Sequence, residues 1–216
     1  MGRLAGGIHI MLVDDHPVVR RGVREILAEA FPEADIRELG SGVEAMTLAN
    51  DGHWDIVILD LTLPDSSGLD VLKDIREGHS RLPVLILSMH AAEHFARRAI
   101  AAGASGYLTK DTADAELVTA VTRLLRGGKY FGPNVLEGIA LGLHPDRAGR
   151  PHERLSDREY QVMRMIGAGK TVSEIATRLG LSVKTVSTYR ARVLEKMEMR
   201  TNAELTHYVV RHGLAE

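Results

Sequence analysis

Three aspartates close two apolar runs. Asp14 and Asp15 follow Ile8-His9-Ile10-Met11-Leu12-Val13, and Asp60 ends Asp55-Ile56-Val57-Ile58-Leu59-Asp60. Two buried parallel strands would bring these carboxylates to one edge of a sheet. Such an oxygen-rich site suits a hard divalent cation such as Mg2+, which keeps several waters and needs only one or two protein carboxylates. Beside a cation, a carboxylate can also attack a phosphoryl group and form an acyl phosphate. The transfer needs its equatorial oxygens neutralised. Lys110 offers an ammonium after a later apolar run, and Ser88 a hydroxyl after another. The acids alone permit a metal site of any purpose, and an acid at a strand end can equally cap the following helix.

A second constellation lies more than a hundred residues on. The spacing over 171–179 predicts a helix with Val172, Ile175, Ala176 and Leu179 inward. Gly180-Leu181-Ser182 makes a tight turn, and a further helix runs over 183–197 with Val186, Val193, Leu194 and Met197 on its buried side. Between those positions lie Lys184, Thr185, Ser187, Thr188, Arg190, Ala191 and Arg192. A capped helix with a basic outward face has the size and chemistry to enter a DNA major groove. It can also be a solvated amphipathic pair. Arg190 and Arg192 lie about 200° apart round the helix, so both are not expected on one groove floor.

The elements that must position these groups alternate along the first part of the chain. Strands are expected at 8–13, 35–39, 56–59, 84–87 and 106–108, and helices over 18–31, from the Ser41-Gly42-Val43-Glu44 capping box to about 50, to about 77, over 92–102 and over 113–126. Five β–α units imply a five-stranded parallel sheet, doubly wound with helices on both faces. Ligands bind such sheets at the carboxyl ends of the strands, where Asp14, Asp15, Asp60, Ser88 and Lys110 all fall. The domain is expected to span 8–127. Gly- and Pro-rich residues 128–153 read as a linker, with 135–143 apolar enough for a short docked helix. Residues 154–214 read as an all-α, four-helix domain. Three of its helices open on Ser156–Glu159, Thr171–Glu174 and Thr201–Glu204, and the fourth on Ser182. Gly169 and Gly180 stand where helices should stop.

Composition sets outer bounds. Hydrophobic residues make up 44% and charged residues 26% of the 216, an ordinary globular mixture. With no cysteine there are no disulfides, thiolate metal sites or cysteine nucleophiles. No apolar stretch approaches the roughly 20 residues of a membrane span, and the start lacks the apolar region of a signal peptide. A cytoplasmic address and no membrane partner are expected. Net charge is −2, but residues 151–216 hold 11 Lys+Arg against 8 Asp+Glu, so the C-terminal part is basic and the remainder acidic.

The motifs carry a resemblance. Val13-Asp14-Asp15-His16, the run from Asp60 through Leu63-Pro64-Asp65 to Gly68, Leu87-Ser88 and Gly106-Tyr107-Leu108-Thr109-Lys110 resemble the receiver domain of two-component response regulators. Leu155-Ser156-Asp157-Arg158-Glu159, Ser173-Glu174-Ile175-Ala176 and Ser182-Val183-Lys184-Thr185-Val186 resemble the LuxR-type DNA-binding domain. Together they are similar to the NarL/FixJ subfamily. The resemblance implies a flavodoxin-like receiver phosphorylated on Asp60 by a sensor histidine kinase. Asp15 would bind Mg2+ directly, Asp14 through water, and Thr62 through its backbone carbonyl. Lys110 would hold the phosphoryl group, and Ser88 and Tyr107 would form the switch pair. The output would be a homodimer on paired half-sites of promoter DNA, through the helix-turn-helix at 171–190, with RNA polymerase as a further possible partner. The final helix, about 202–212, would pair in that dimer, with Ala203 and Val210 contributing. His16 and His90 flank the phosphoryl site as surface histidines, and Trp54 reads as a packing anchor. Tyr189 stands where the family commonly has histidine, which touches base preference rather than DNA binding.

Two rivals belong to other classes. An aspartyl phosphatase of the haloacid dehalogenase type wants a second acid two residues after its nucleophile, and Thr62 stands there. A regulator controlled by a ligand or partner without phosphate would not need the intact acid set.

Overall fold

A computed structural model describes residues 7–89, 92–133, 135–136 and 151–214. The chain divides into two compact units, Met1–His144 and Pro145–Glu216.

The first unit is a wholly parallel sheet of β1 (His9–Val13), β2 (Asp35–Leu39), β3 (Ile56–Leu59), β4 (Val84–Ser88), β5 (Gly106–Thr109) and β6 (Tyr130–Phe131). The spatial order is β2-β1-β3-β4-β5-β6. The helices α1 (Pro17–Ala30), α2 (Gly42–Asp51), α3 (Gly68–Gly78), α4 (Ala92–Ala101) and α5 (Ala113–Leu125) connect the strands. β1, β3 and β4 are continuous apolar runs because both faces are covered. Ile10, Leu12, Ile56, Ile58, Leu85, Leu87 and Leu108 meet Val23 and Leu27 of α1 and Leu117, Val121 and Leu124 of α5. By strand alternation, Met11, Val13, Val57, Leu59, Ile86 and Tyr107 face the other way.

The five-stranded expectation needs one correction. Gly127, at φ +78, turns the chain after α5, and Tyr130–Phe131 then lies parallel to β5. Its Tyr130 amide donates to the Ser105 carbonyl, and the Gly132 amide donates to that of Tyr107. Of the docked helix expected over 135–143, all but Val135 and Leu136 lies outside the described residues.

The second unit opens on a 3-10 turn, Pro151–Arg154, followed by α6 (Asp157–Gly167), α7 (Val172–Arg178), α8 (Val183–Lys196) and α9 (Asn202–Arg211). Ser156–Glu159 and Thr171–Glu174 form complete capping boxes. Thr201 accepts from the Glu204 amide, but the Glu204 carboxylate reaches back to the Arg200 amide. Gly180, at φ +62, makes the turn between α7 and α8. Val162, Met163, Ile166, Ile175, Val186, Val193, Leu205 and Val209 form its core. Among the described residues no helix is long and apolar enough to cross a membrane.

Candidate functional site

The order β2-β1-β3 places the reversal of strand winding at β1 and β3, and sheets of this kind bind ligands in the crevice outside the carboxyl ends of the strands at that point. The Asp60 amide donates to the Val13 carbonyl and the Asp14 amide to that of Leu39, so the ladders continue up to the acids themselves. Asp14 and Asp60 are almost fully buried. Lys110 lies just past β5, where its amide donates to the Ser88 carbonyl. Its Nζ reaches between the two acids, 2.6 Å from Asp14 Oδ2 and 2.7 Å from Asp60 Oδ2. The other oxygens take backbone donors: the Thr62 amide reaches Asp60 Oδ1 at 3.2 Å and the His16 amide reaches Asp14 Oδ1 at 2.8 Å.

Electrostatics in this crevice are unbalanced. Three carboxylates face one ammonium. Burial pushes the Asp60 carboxyl up to about 6, the Lys110 ammonium pulls against that shift, and the Asp14 charge adds to it. The Lys110 ammonium is held above its ordinary value: burial opposes its charge, but Asp60 and Asp14 outweigh burial. Ligating atoms of Asp14, Asp15, His16 and Asp60 lie within 4.8 Å of one another. Buried carboxylate oxygens with excess negative charge fit a divalent hard cation.

Ser88 and Tyr107 are wholly buried. Ile86 pairs with Tyr107 in the ladder, so Ser88, two residues beyond Ile86, is a diagonal neighbour on the same face of the sheet. His90 lies outside the described residues.

Three contributions were not legible in the sequence. The His16 imidazole lies 2.6 Å from Asp15 Oδ1. Asp65 accepts from Ser41 Oγ at 2.6 Å and from the Gly42 and Val43 amides at 2.9 Å, pinning the loop after Asp60 to the start of α2. Although burial favours its neutral form, those donors hold the Asp65 carboxyl below its ordinary range. Gly68 lets α3 begin against the loop after Asp60: a Cβ there would fall 2.2 Å from the Asp60 carbonyl oxygen. The polar run Pro64 to Gly68 signals a turn, but not a partner more than twenty residues away.

On α8, Lys184, Ser187, Thr188, Ala191 and Arg192 are exposed and lie on one side of the helix. Thr185 is half-exposed, its Oγ1 2.8 Å from Ser182 Oγ at the cap. Arg190 is set apart from them. It is half-buried, and its Nε donates to Asn202 Oδ1 at 2.6 Å. Tyr189 is half-buried.

Residues 10–122 match the response regulator receiver domain, and residues 153–209 match the bacterial regulatory proteins of the luxR family. The chain is 34% identical over 208 residues to the response regulator UvrY of Escherichia coli K12, covering 96% of this chain and 95% of that protein. This chain belongs to the NarL/FixJ response regulators. It is therefore a transcriptional response regulator with a LuxR-type DNA-binding domain, not an enzyme. A solved two-component response regulator of the LuxR family from Aurantimonas sp. SI85-9A1 is 40% identical, with TM-score 0.59, and covers 63% of the regulator and 97% of that chain. The fold of RcsB from Salmonella enterica serovar Typhimurium, solved bound to promoter rprA with BeF3−, matches with TM-score 0.64 at 24% identity, over 94% of the regulator and 99% of that chain. Receiver domains generally bind Mg2+ in an acidic pocket and interact with kinases, and the regulator's pocket has the oxygen donors for such an ion.

Proposed function

We propose that Asp60 accepts a phosphoryl group from a sensor histidine kinase and that this controls DNA binding through α8. The observation that carries the reading is the Lys110 ammonium, lodged between Asp14 and Asp60 at the crevice of the sheet. A carboxylate oxygen of Asp60 attacks phosphorus as the bond to the kinase's imidazole nitrogen breaks, and that nitrogen keeps the electron pair. Lys110 is in place to neutralise a phosphoryl oxygen. Asp15, Asp60 and the Thr62 carbonyl would hold Mg2+ directly, and Asp14 through water. The ion supplies charge stabilisation for the transferring oxygens.

The new group adds negative charge and acceptor oxygens. Ser88 turns to donate to one of them, and Tyr107 repacks on the face the two share. Two receiver states follow, and phosphorylation shifts their populations. The active state is a homodimer, whose paired α8 helices enter successive major grooves of promoter DNA. Lys184 and Arg192 serve phosphates and base edges, with Thr185, Ser187, Thr188 and Ala191 on or beside the same face.

Incubation with Mg2+ and a small phosphodonor, followed by intact-mass measurement, tests the first step. One added phosphoryl group is expected, absent in Asp60→Asn. A group that persists in Asp60→Asn would overturn the assignment.

A further inference from the structure

The recognition helix α8 and the last helix α9 both pack extensively against α6. A side chain also joins them directly. Arg190 lies about 240° round α8 from Lys184, on the flank it shares with Leu194. Its Nε donates to Asn202 Oδ1 at 2.6 Å, and Asn202 is the first residue of α9, just inside the Thr201 cap. Lys184, Ser187, Thr188, Ala191 and Arg192 stay exposed on the other side of α8.

We infer that Arg190 is a positioning residue for DNA binding: it fixes the recognition helix against α9 and does not read bases. The inference rests on the DNA-binding reading above. Arginine suits the task because its Nε–H points sideways from a planar, preorganised fork, whereas a lysine ammonium is a flexible point charge. Helices that pack mainly on a third can still shift in angle relative to each other, and a direct bridge restrains that shift. If α9 pairs in the dimer, the same bridge relates one recognition helix to the other and so to the spacing of their grooves.

The test uses the full-length protein and a duplex that the wild type has selected from a random-sequence pool, titrated by fluorescence anisotropy over a range of salt. Arg190→Ala and Asn202→Ala should each bind about threefold to tenfold more weakly, the range for one lost hydrogen bond. The double variant should bind no more weakly than either single one. All three should keep the wild-type slope of log affinity on log salt and reselect the same sequence. Lys184→Ala, by contrast, should flatten the slope by about 0.9 for each bound protomer. Asn202→Asp keeps the acceptor and should bind as wild type. If Arg190→Ala unfolds, Arg190→Lys keeps the charge, lacks the lateral donor and should show the same loss.

The inference fails if Arg190→Ala flattens the slope by about one phosphate contact or relaxes preference at one base pair. It fails equally if Asn202→Ala binds as wild type. If the wild type selects no duplex, or Lys184→Ala and Arg192→Ala both bind normally, the DNA-binding reading itself is wrong.

Discussion

For the proposed phosphoryl transfer Asp60 has to be anionic in a place that disfavours charge. Its carboxyl rises to about 6 from an ordinary 3.8 because burial outweighs the help of Lys110. The folded protein therefore holds this proton longer than the unfolded chain does. Metal-free stability should fall as pH rises between those two values, and Mg2+ should reverse the loss by binding the ionised form. For the same reason Mg2+ must displace the proton. Its apparent affinity should drop by about tenfold per pH unit once below about 6. Calorimetric titration at several pH values would show this, and a flat profile would mean that Asp60 is already ionised without metal. The acids were legible because an apolar run that ends in Asp says both what is buried and where burial stops. Asp65 was not, because its donors at Ser41, Gly42 and Val43 become neighbours only once α2 and the Asp60 loop pack. The helical period likewise separated Arg190 from Arg192, but could not supply Asn202 as its partner.

The helices repeat the lesson with their ends. Capping motifs are local, so Ser156–Glu159 and Thr171–Glu174 could be read directly and are complete. β6 could not be read: two residues are too few to show a period, and its pairing with β5 is non-local. Glu159 also does more than cap. Burial alone would raise its carboxyl, but Lys196 Nζ at 2.7 Å and the Ser156 donors bring it below the ordinary range. This depressed carboxyl stabilises the helical unit above the ordinary 4.5, and the contribution is lost as pH falls through that value and below. Glu159→Gln should flatten the acid limb of the far-UV dichroism profile. Trp54, the only tryptophan, lies in the receiver unit and reports that unit's acid transition separately. Its Nε1 donates to the Leu48 carbonyl near the end of α2, and the residue is half-buried. After α8, Glu198 takes the left-handed conformation at φ 57 without being glycine. Glu198→Gly should raise stability by about 0.5–1 kcal/mol in denaturant titrations, since the exposed contact it gives up, to Arg154 at 3.7 Å, is worth little. Lower stability would mean that this contact matters more than the strain.

Input and output sit in different units, so the message has to pass by changing populations. Residues 151–216 are only modestly basic, and a single module of this charge would hold DNA weakly at physiological salt. Pairing is the direct remedy, because two linked modules bind with an effective concentration that neither has alone. Phosphorylation of Asp60 should therefore act through self-association. Sedimentation velocity should show the phosphorylated protein moving to dimer at lower concentration than the untreated protein. The protein concentration for half-saturation of a duplex should fall in parallel. Salt dependence adds a second reading, since a dimer engages twice the phosphates and its log–log slope should approach double that of a monomer. Asp60→Asn should show neither change when given the phosphodonor. Tighter DNA binding without a change in association would place the switch in release of the recognition helix instead, and an equal response from Asp60→Asn would separate the phosphoryl site from DNA control altogether.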